Sequence, residues 1–523
     1  MSRIARHIPL AGIDLRRSGP QLLSVQLYSW FRSAILSGQL RPGSRIPSTR
    51  NLAEDCNISR TTVITAYEQL LAEGYLEARV GSGTCVAASL PDAMPARPPL
   101  TSPSGGRAVT VRSSHGLSRR GDVLVSHPVR LLSADTTAPK PFASGLPNPD
   151  AFPAKVWTRL VAKWWRYRRG ELLACRDPAG YGPLRHAVAA RIGAARAVRC
   201  DADQVVIVSG SQQALDLIAR LLVDPGDVVL MEEPGYPGAR AAFAATGASL
   251  VPLPVDSHGA DIEDVPRDRR LRIAFVTPSH QYPLGATMTI SRRLALLQWA
   301  TRTDSWIVED DYDSDFRYQG KPLPALQGLD TAGRVLYVGS FSKTLFPSLR
   351  LGCIVLPPDL VQPFRRARSI VDGHSAMLDQ AVLADFIIEG HFDRHIRRMR
   401  SLYSERQRIL VESAREQLKG LLDVKGAAGG MHVLGWLRAG VSDTRAAEFA
   451  RRVGVDVSPL SACSAFRRPR RSGLLLGYAA YSPDEIRAGI SRLAGALKQL
   501  ARYRPIRKWT ARPDLNGPVN TST

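Results

Sequence analysis

Residues 334–352 read RVLYVGSFSKTLFPSLRLG. A β-rich apolar run ends in Gly339 and Ser340, Lys343 follows between Ser342 and Thr344, and Arg350 stands seven residues further on. A lysine just beyond a buried strand is most often a solvated surface group. Its meaning rests on what the neighbouring strands bring to the same edge.

Working outward, apolar runs of the same kind recur at VVIVS (205–209), DVVLM (227–231), RIAFVT (272–277), WIVED (306–310) and CIVLP (353–357). They are apolar on both faces, and helical stretches such as SQQALDLIARLL and ISRRLALLQWATRT intervene. This alternation predicts parallel strands covered by helices. Such an α/β sheet binds ligands beyond the carboxyl ends of its strands.

Several strand ends carry chemistry. WIVEDDYDSDF closes a buried strand in a cluster of carboxylates. VSGSQQALDL places a Gly-Ser turn ahead of a helix, where backbone amides can hold a phosphate. EEPGYPG supplies Tyr236 on another strand-to-helix turn. A magnesium-dependent NTPase would need a Gly-rich loop ending in Gly-Lys-Ser/Thr, and QGKP (319–322) has proline where the hydroxyl belongs. His391 and His395, in EGHFDRHIRRMR, lack the spacing of a zinc hydrolase and read as a solvated or interface face, so no metal site is expected. Pyridoxal 5′-phosphate, by contrast, needs these parts. Its aldehyde takes a lysine, its pyridine nitrogen a carboxylate, its phosphate a helix N-terminus with hydroxyls and an arginine, and its ring a stacking partner.

On these motifs, the chain from about Pro141 to Arg502 resembles the fold-type-I aminotransferases. The resemblance implies that Lys343 is the Schiff-base lysine, that Asp310 pairs with the pyridine nitrogen, and that Tyr312 pairs with the ring hydroxyl. It implies that Tyr236 stacks on the ring and that Ser211, Gln212, Ser340, Ser342 and Arg350 take the phosphate. Three positions depart from the pattern. Tyr282, in TPSHQYPLG, stands at the cofactor position where working aminotransferases carry an asparagine. Leu475, in SGLLLGYAAYS, falls where an arginine grips the substrate α-carboxylate, and a leucine cannot make that bidentate pair. Cys175 stands where a tyrosine reaching the partner's cofactor is expected.

The N-terminal region has a helical period instead. Leu27, Trp30, Phe31, Ala34 and Ile35 share one face, Ser48 and Ser59 are placed to cap two further helices, and Val63, Ala66, Tyr67, Leu70 and Leu71 repeat the core spacing. The first turn of the last helix leaves Arg60, Thr61 and Thr62 outward, and EGYLEARVGSGTCVA predicts two short strands joined near Gly83. Three helices and a wing make a winged helix-turn-helix, which inserts its last helix into the major groove. RPGSRIPSTRNLAEDCNISRTTVITAYEQLLAEGYLEARVGSGTCV resembles the GntR repressor domains along its length. Ser48, Arg50, Ser59, Arg60, Thr61, Thr62 and Gly83 are then the candidate contacts to double-stranded operator DNA.

The layout is therefore a GntR-like winged helix at 19–86, a Pro/Ser/Arg-rich linker at 87–139, a mostly parallel α/β aminotransferase-like domain at 140–502 and a basic tail at 503–523. It is similar to the MocR/GabR-type regulators. That resemblance implies a pyridoxal 5′-phosphate-dependent regulator that answers to an amine or amino-acid effector, or to the cofactor itself. It also implies a head-to-tail, domain-swapped homodimer. An active aminotransferase that also binds DNA, and a DNA-binding protein with a mere dimerisation scaffold, are the alternatives. Composition sets the frame: 523 residues, six scattered cysteines without a CxxC pair, and a net charge of +23 spread along the chain. These fit a reducing cytoplasm, and no apolar run is long enough to span a membrane.

Overall fold

The computed structural model describes residues 21–79, 83–88, 116–126, 140–174, 177–263, 270–320, 323–466 and 469–502, with Ile13, Leu15 and Val265. The chain divides into two compact units between Ser113 and Ser114.

In the first unit, α1 (Leu23–Leu36) buries Leu27, Phe31, Ala34 and Ile35 against α3 (Arg60–Ala72), which buries Val63, Ala66, Tyr67 and Leu70. Trp30 and Leu71, expected in this core, are only part-buried at its margin. Phe31 meets Tyr67 edge to face at 5.5 Å. Between them, α2 (Thr49–Asp55) buries Leu52 and Ala53. Both predicted caps form: Ser48 Oγ accepts from Asn51 N at 3.2 Å, and Ser59 Oγ accepts from Thr62 N at 3.1 Å. Strands β1 (Leu76–Arg79) and β2 (Gly83–Val86) pair antiparallel as the wing. The wing turn, with Gly81 and Ser82, lies outside the described residues.

The second unit holds an eight-stranded sheet in the order β3 (Val205–Val208), β10 (Gly352–Val355), β9 (Val335–Ser340), β8 (Trp306–Asp311), β7 (Leu271–Val276), β4 (Val228–Glu233), β5 (Ser249–Asp256) and β6 (Gly259–Ala260). Strands β4, β7, β8 and β9 are parallel neighbours, as expected, and β5 joins β4 in parallel. Strand β10 is not: it runs antiparallel to both β9 and β3. The cause is the connection 341–351, which contains only one 3₁₀ turn at Pro347–Leu349. A parallel return needs a crossover of about a dozen residues or more, usually helical, so this chain turns straight back. Strand β5 was not foreseen, because Pro252 and Pro254 interrupt its reading; it sits next to the edge of the sheet, where prolines are tolerated.

A second sheet, also unforeseen, has four antiparallel strands in the order β11 (Leu422–Val424), β12 (His432–Leu437), β14 (Gly473–Gly477) and β13 (Ser458–Pro459). Its β14 is clamped to the segment before the first sheet, with Gly477 N donating to Phe142 O at 2.9 Å. Within the expected linker, Arg119–Ser126 forms a helix that buries nothing; no proline falls inside it. The rest of that linker and the basic tail 503–523 lie outside the described residues, apart from Ala87, Ala88 and 116–118.

Ser59→Ala should cost the recognition helix about 1 kcal/mol, visible as faster amide hydrogen exchange along α3 in the full-length protein. A Cβ on Gly477 would come within 2.3 Å of Ala143 O and 2.7 Å of Ser144 Cα, both backbone atoms. Gly477→Ala should therefore lower the stability of the second unit by roughly 1–3 kcal/mol, measured by denaturant unfolding.

Candidate cofactor site and DNA-binding surface

Lys343 follows β9, at the carboxyl edge of the large sheet, and its side chain enters a cavity of about 140 Å³. Asp310 and Tyr312 reach this cavity from the end of β8, Ser211 from the helix Ser211–Leu222, Tyr236 from the turn after β4, and Tyr282 from the loop after β7. Lys343 Nζ donates to Gly145 O at 2.9 Å. Burial pulls the lysine below its ordinary range, and Asp313 and then Asp310 oppose that shift.

Asp310 is buried, and its Oδ1 has no hydrogen-bond partner in the protein. Desolvation, with Asp311 adding repulsion and Lys343 opposing, pushes its carboxyl up to about 7. Asp311, one residue on, faces the other way. Burial raises it, but Arg196 at 2.9 Å and the Tyr337 hydroxyl at 2.8 Å more than offset this and hold it below the ordinary carboxylate range.

The second pole of the site is the N-terminus of the helix Ser211–Leu222. Its N-cap is Gly210, with φ +94° and no side-chain cap. Arg350 lies over this glycine: its Nη2 donates to Ser209 O at 2.9 Å, and a Cβ on Gly210 would come within 3.1 Å of the guanidinium. Open amides and an arginine thus converge where an anion can sit.

The other predicted residues take supporting places. Gln212 does not line the cavity; its Nε2 donates to Gly238 O at 2.9 Å, and its Oε1 accepts from the Tyr236 hydroxyl at 3.4 Å, so it orients Tyr236. Ser340 Oγ accepts from Ser342 N at 3.3 Å, and Ser342 Oγ is buried without a partner. Tyr236, Tyr282 and Tyr312 form a chain of edge-to-face rings 5.8 and 6.0 Å apart. Leu475 is fully buried in an apolar cluster with Leu434 and Leu460, packed against Tyr282. His395 corrects the reading of a solvated or interface face: it is buried, and its Nε2 lies 3.0 Å from Thr344 O. Cys175 lies outside the described residues.

Sequence reading passed over Gly145, Thr277, Asp313 and His432, which also line the cavity. Asp313 alone left a signal, as the third residue after Asp310 in the acidic cluster. Thr277 lies in TPSHQYPLG but was given no role there, and Gly145 and His432 come from segments with no motif of their own. Among the described residues no group of His, Cys, Asp and Glu could hold a metal, and no helix is long and apolar enough to cross a membrane.

On the first unit, Arg50, Arg60 and Thr61 are exposed. Arg50 makes a solvent-exposed contact with Glu54 at 3.5 Å. Ser48, Ser59 and Thr62 are engaged in capping. Gly83 opens β2 at φ +81°.

The residues present fit pyridoxal 5′-phosphate: a lysine amine, an unpartnered buried carboxylate and an anion cradle meet at one cavity. Comparison with known proteins agrees. Residues 145–493 match the family of aminotransferases class I and II, and residues 23–86 match the bacterial regulatory proteins of the gntR family. The chain is 45% identical to the probable rhizopine catabolism regulatory protein MocR of Rhizobium meliloti over 93% of its own length and 97% of the relative's. It is 35% identical to the HTH-type transcriptional regulator TauR of Rhodobacter capsulatus, covering 94% and 100%. Kynurenine aminotransferase of Pyrococcus horikoshii superposes with a TM-score of 0.65 at 30% identity, over 69% of this chain and 92% of that one.

Asp310 also makes a pH prediction. Its unfolded value is near 3.9, so between about pH 4 and pH 7 the unfolded chain releases a proton that the folded, cofactor-free protein keeps. Stability from this group therefore falls as pH rises through that window. Asp310→Asn should gain about 4 kcal/mol over wild type at pH 8 and little at pH 4, measured by urea unfolding of the cofactor-free proteins.

With both halves and their union matched, the chain belongs to the MocR-type regulators of the gntR family, in which a winged helix-turn-helix is joined to an aminotransferase-like domain that uses pyridoxal 5′-phosphate.

Proposed function

We propose that this regulator senses a small amine or amino acid, or the cofactor itself, at Lys343 and turns occupancy of that site into a change in operator affinity. The observation that carries this reading is the cavity where the Lys343 amine meets the unpartnered Asp310 carboxylate. When bound, pyridoxal 5′-phosphate supplies a carbonyl for which Lys343 and an effector amine compete, and a ring nitrogen whose proton calls for a carboxylate.

The chain's own residues divide the work. Asp310 would hold that ring proton, and its desolvated state makes the interaction strong. Arg350, Ser211 and the amides after Gly210 would hold the phosphate, with Ser340 and Ser342 supporting. Gln212 fixes Tyr236, the stacking ring. Tyr312 would meet the ring hydroxyl, and Tyr282 would close the site above it. Burial favours the neutral form of Lys343, the form an amine needs for exchange.

Leu475 shapes the choice of effector. A carboxylate set against this buried apolar cluster would lose its hydration and gain no partner. Leu475, packed behind Tyr282, offers no cation, so effectors without a conventional α-carboxylate anchor, such as sulfonates or polyamines, or the cofactor itself, suit the site better. The names of two relatives, a rhizopine catabolism regulator and TauR, accord with a role in small-molecule metabolism.

The linker, 87–139, is long enough to cross between subunits at about 3 Å per residue, so a head-to-tail homodimer in which each DNA-binding unit packs on its partner is part of the proposal. A cytoplasmic location follows from action on DNA. Lys343 and Asp310 would equally serve an active aminotransferase. Steady-state amino transfer to a keto acid decides between the readings, and Leu475 argues for little turnover.

Lys343→Ala should abolish the visible absorbance of the lysine-bound cofactor and the effector response, while leaving effector-free operator affinity within about threefold. An unchanged effector response in that variant would sink the mechanism. Arg60→Ala should weaken operator binding by about 1–3 kcal/mol and relax specificity at one base position, read by titration at fixed salt.

A further inference from the structure

The His280 imidazole is buried beside the cofactor cavity and has no role so far. Its Nδ1 lies 3.1 and 3.0 Å from the two oxygens of Asp313, and 3.0 Å from the Tyr312 hydroxyl. Three oxygens therefore surround one nitrogen, and elementary chemistry fixes where the protons go. An unprotonated Nδ1 would aim its lone pair at a buried carboxylate. A protonated Nδ1 donates to that carboxylate, and this holds whether the ring is neutral or charged. With Nδ1 already carrying a proton, Tyr312 cannot donate to it. The Tyr312 oxygen can take only a share of the Nδ1–H, and its own proton must turn elsewhere. The cavity that Tyr312 lines with Lys343 and Asp310 offers that proton an open direction, toward the groups of the site.

We propose that Asp313 and His280 form a positioning pair whose task is to aim the Tyr312 hydroxyl proton into the Lys343 cavity. This rests on the reading above, in which Tyr312 meets the ring oxygen of the cofactor. It adds two residues that the sequence left without a role, and it assigns the direction of one hydrogen bond.

The surroundings fit a fixed rather than a free imidazole. A Cβ on Gly430 would come within 2.2 Å of His280 Cε1, so the ring is clamped between that backbone and Asp313. Its Nε2 is buried without a protein partner and borders a small polar cavity of about 20 Å³, which Arg196 and Arg317 also line. From β12, His432 stacks obliquely on His280 at 5.4 Å; burial, with His280 adding to it, pushes His432 down to about 4, so it is neutral near pH 7. Asp313 also contributes the largest charge effect opposing the loss of the Lys343 proton. The groups facing His280 are thus Asp313, Tyr312, neutral His432 and two arginines across the small cavity.

The test compares two amide replacements in the full-length protein loaded with pyridoxal 5′-phosphate. His280→Asn keeps an N–H donor near the Nδ1 position; His280→Gln moves the donor toward the Nε2 position. The readout is the pH midpoint of the bound cofactor's visible absorbance change. A directed Tyr312 proton stabilises negative charge on the ring oxygen, so losing its direction should raise the midpoint. His280→Gln should raise it by about one pH unit, a tenfold change. His280→Asn should stay near wild type, which a merely structural role would not produce. In a Tyr312→Phe background, His280→Gln should add nothing, because the pair acts through that hydroxyl. Equal midpoints in the Asn and Gln variants, or a full further shift in the Tyr312→Phe background, would overturn the proposal. A visible band of the lysine-bound cofactor that survives Lys343→Ala would instead overturn the reading of the site itself, and this inference with it.

Discussion

Three consecutive carboxylates, Glu309, Asp310 and Asp311, are buried at the end of strand β8, and the second unit is arranged around their different fates. Side chains alternate across a sheet, so Glu309 and Asp311 share one face and Asp310 takes the other. Glu309 accepts from the Leu326 and Gln327 amides at 2.8 and 2.9 Å, and Asp311 pairs with Arg196 and Tyr337. Asp310 Oδ1 has no donor; Asp311 also has an unmatched Oδ1, but its Oδ2 carries the contacts to Arg196 and Tyr337. A buried carboxylate without a partner costs several kcal/mol, which a protein carries when a ligand is to satisfy it. The pleat of one strand thus separates the carboxylates held by protein donors from the one that faces the cavity.

The reversal between β9 and β10 does the complementary work. Because residues 341–351 turn straight back, Lys343 stands opposite Asp310 across the cavity and Arg350 returns to the level of Gly210. A crossover helix at this point would have carried the arginine away from the anion cradle. The same edge receives β14 through the Phe142–Gly145 segment, which places the Gly145 carbonyl against the Lys343 amine. The second sheet therefore helps to build the site: it brings His432 to the cavity wall and packs Leu475 behind Tyr282.

Much of this was legible in the sequence because it is local. The helix caps at Ser48 and Ser59, the apolar face of α1 and the strand-to-helix turns at Gly210 and Tyr236 depend on a few adjacent residues each. Lys343, Asp310 and Arg350 were legible through motifs with fixed spacing. The antiparallel course of β10 and the proline-bearing β5 were not, since both depend on what the rest of the sheet requires. The burial of His395 was hidden for the same reason: an arginine-rich helix looks solvated until the Thr344 carbonyl is found against it.

The sequence by itself determined the two-part design, the family and the chemical groups gathered at the cavity, because those reside in residue type and short-range spacing. Only the tertiary structure decided which carboxylate is paired and which is left open. It alone showed that Gln212 serves Tyr236 rather than the cavity wall, and that His280 and Asp313 converge on Tyr312. The reason is physical: the state of a buried polar group depends on every neighbour within hydrogen-bond reach, and those neighbours come from strands and loops far apart in the chain.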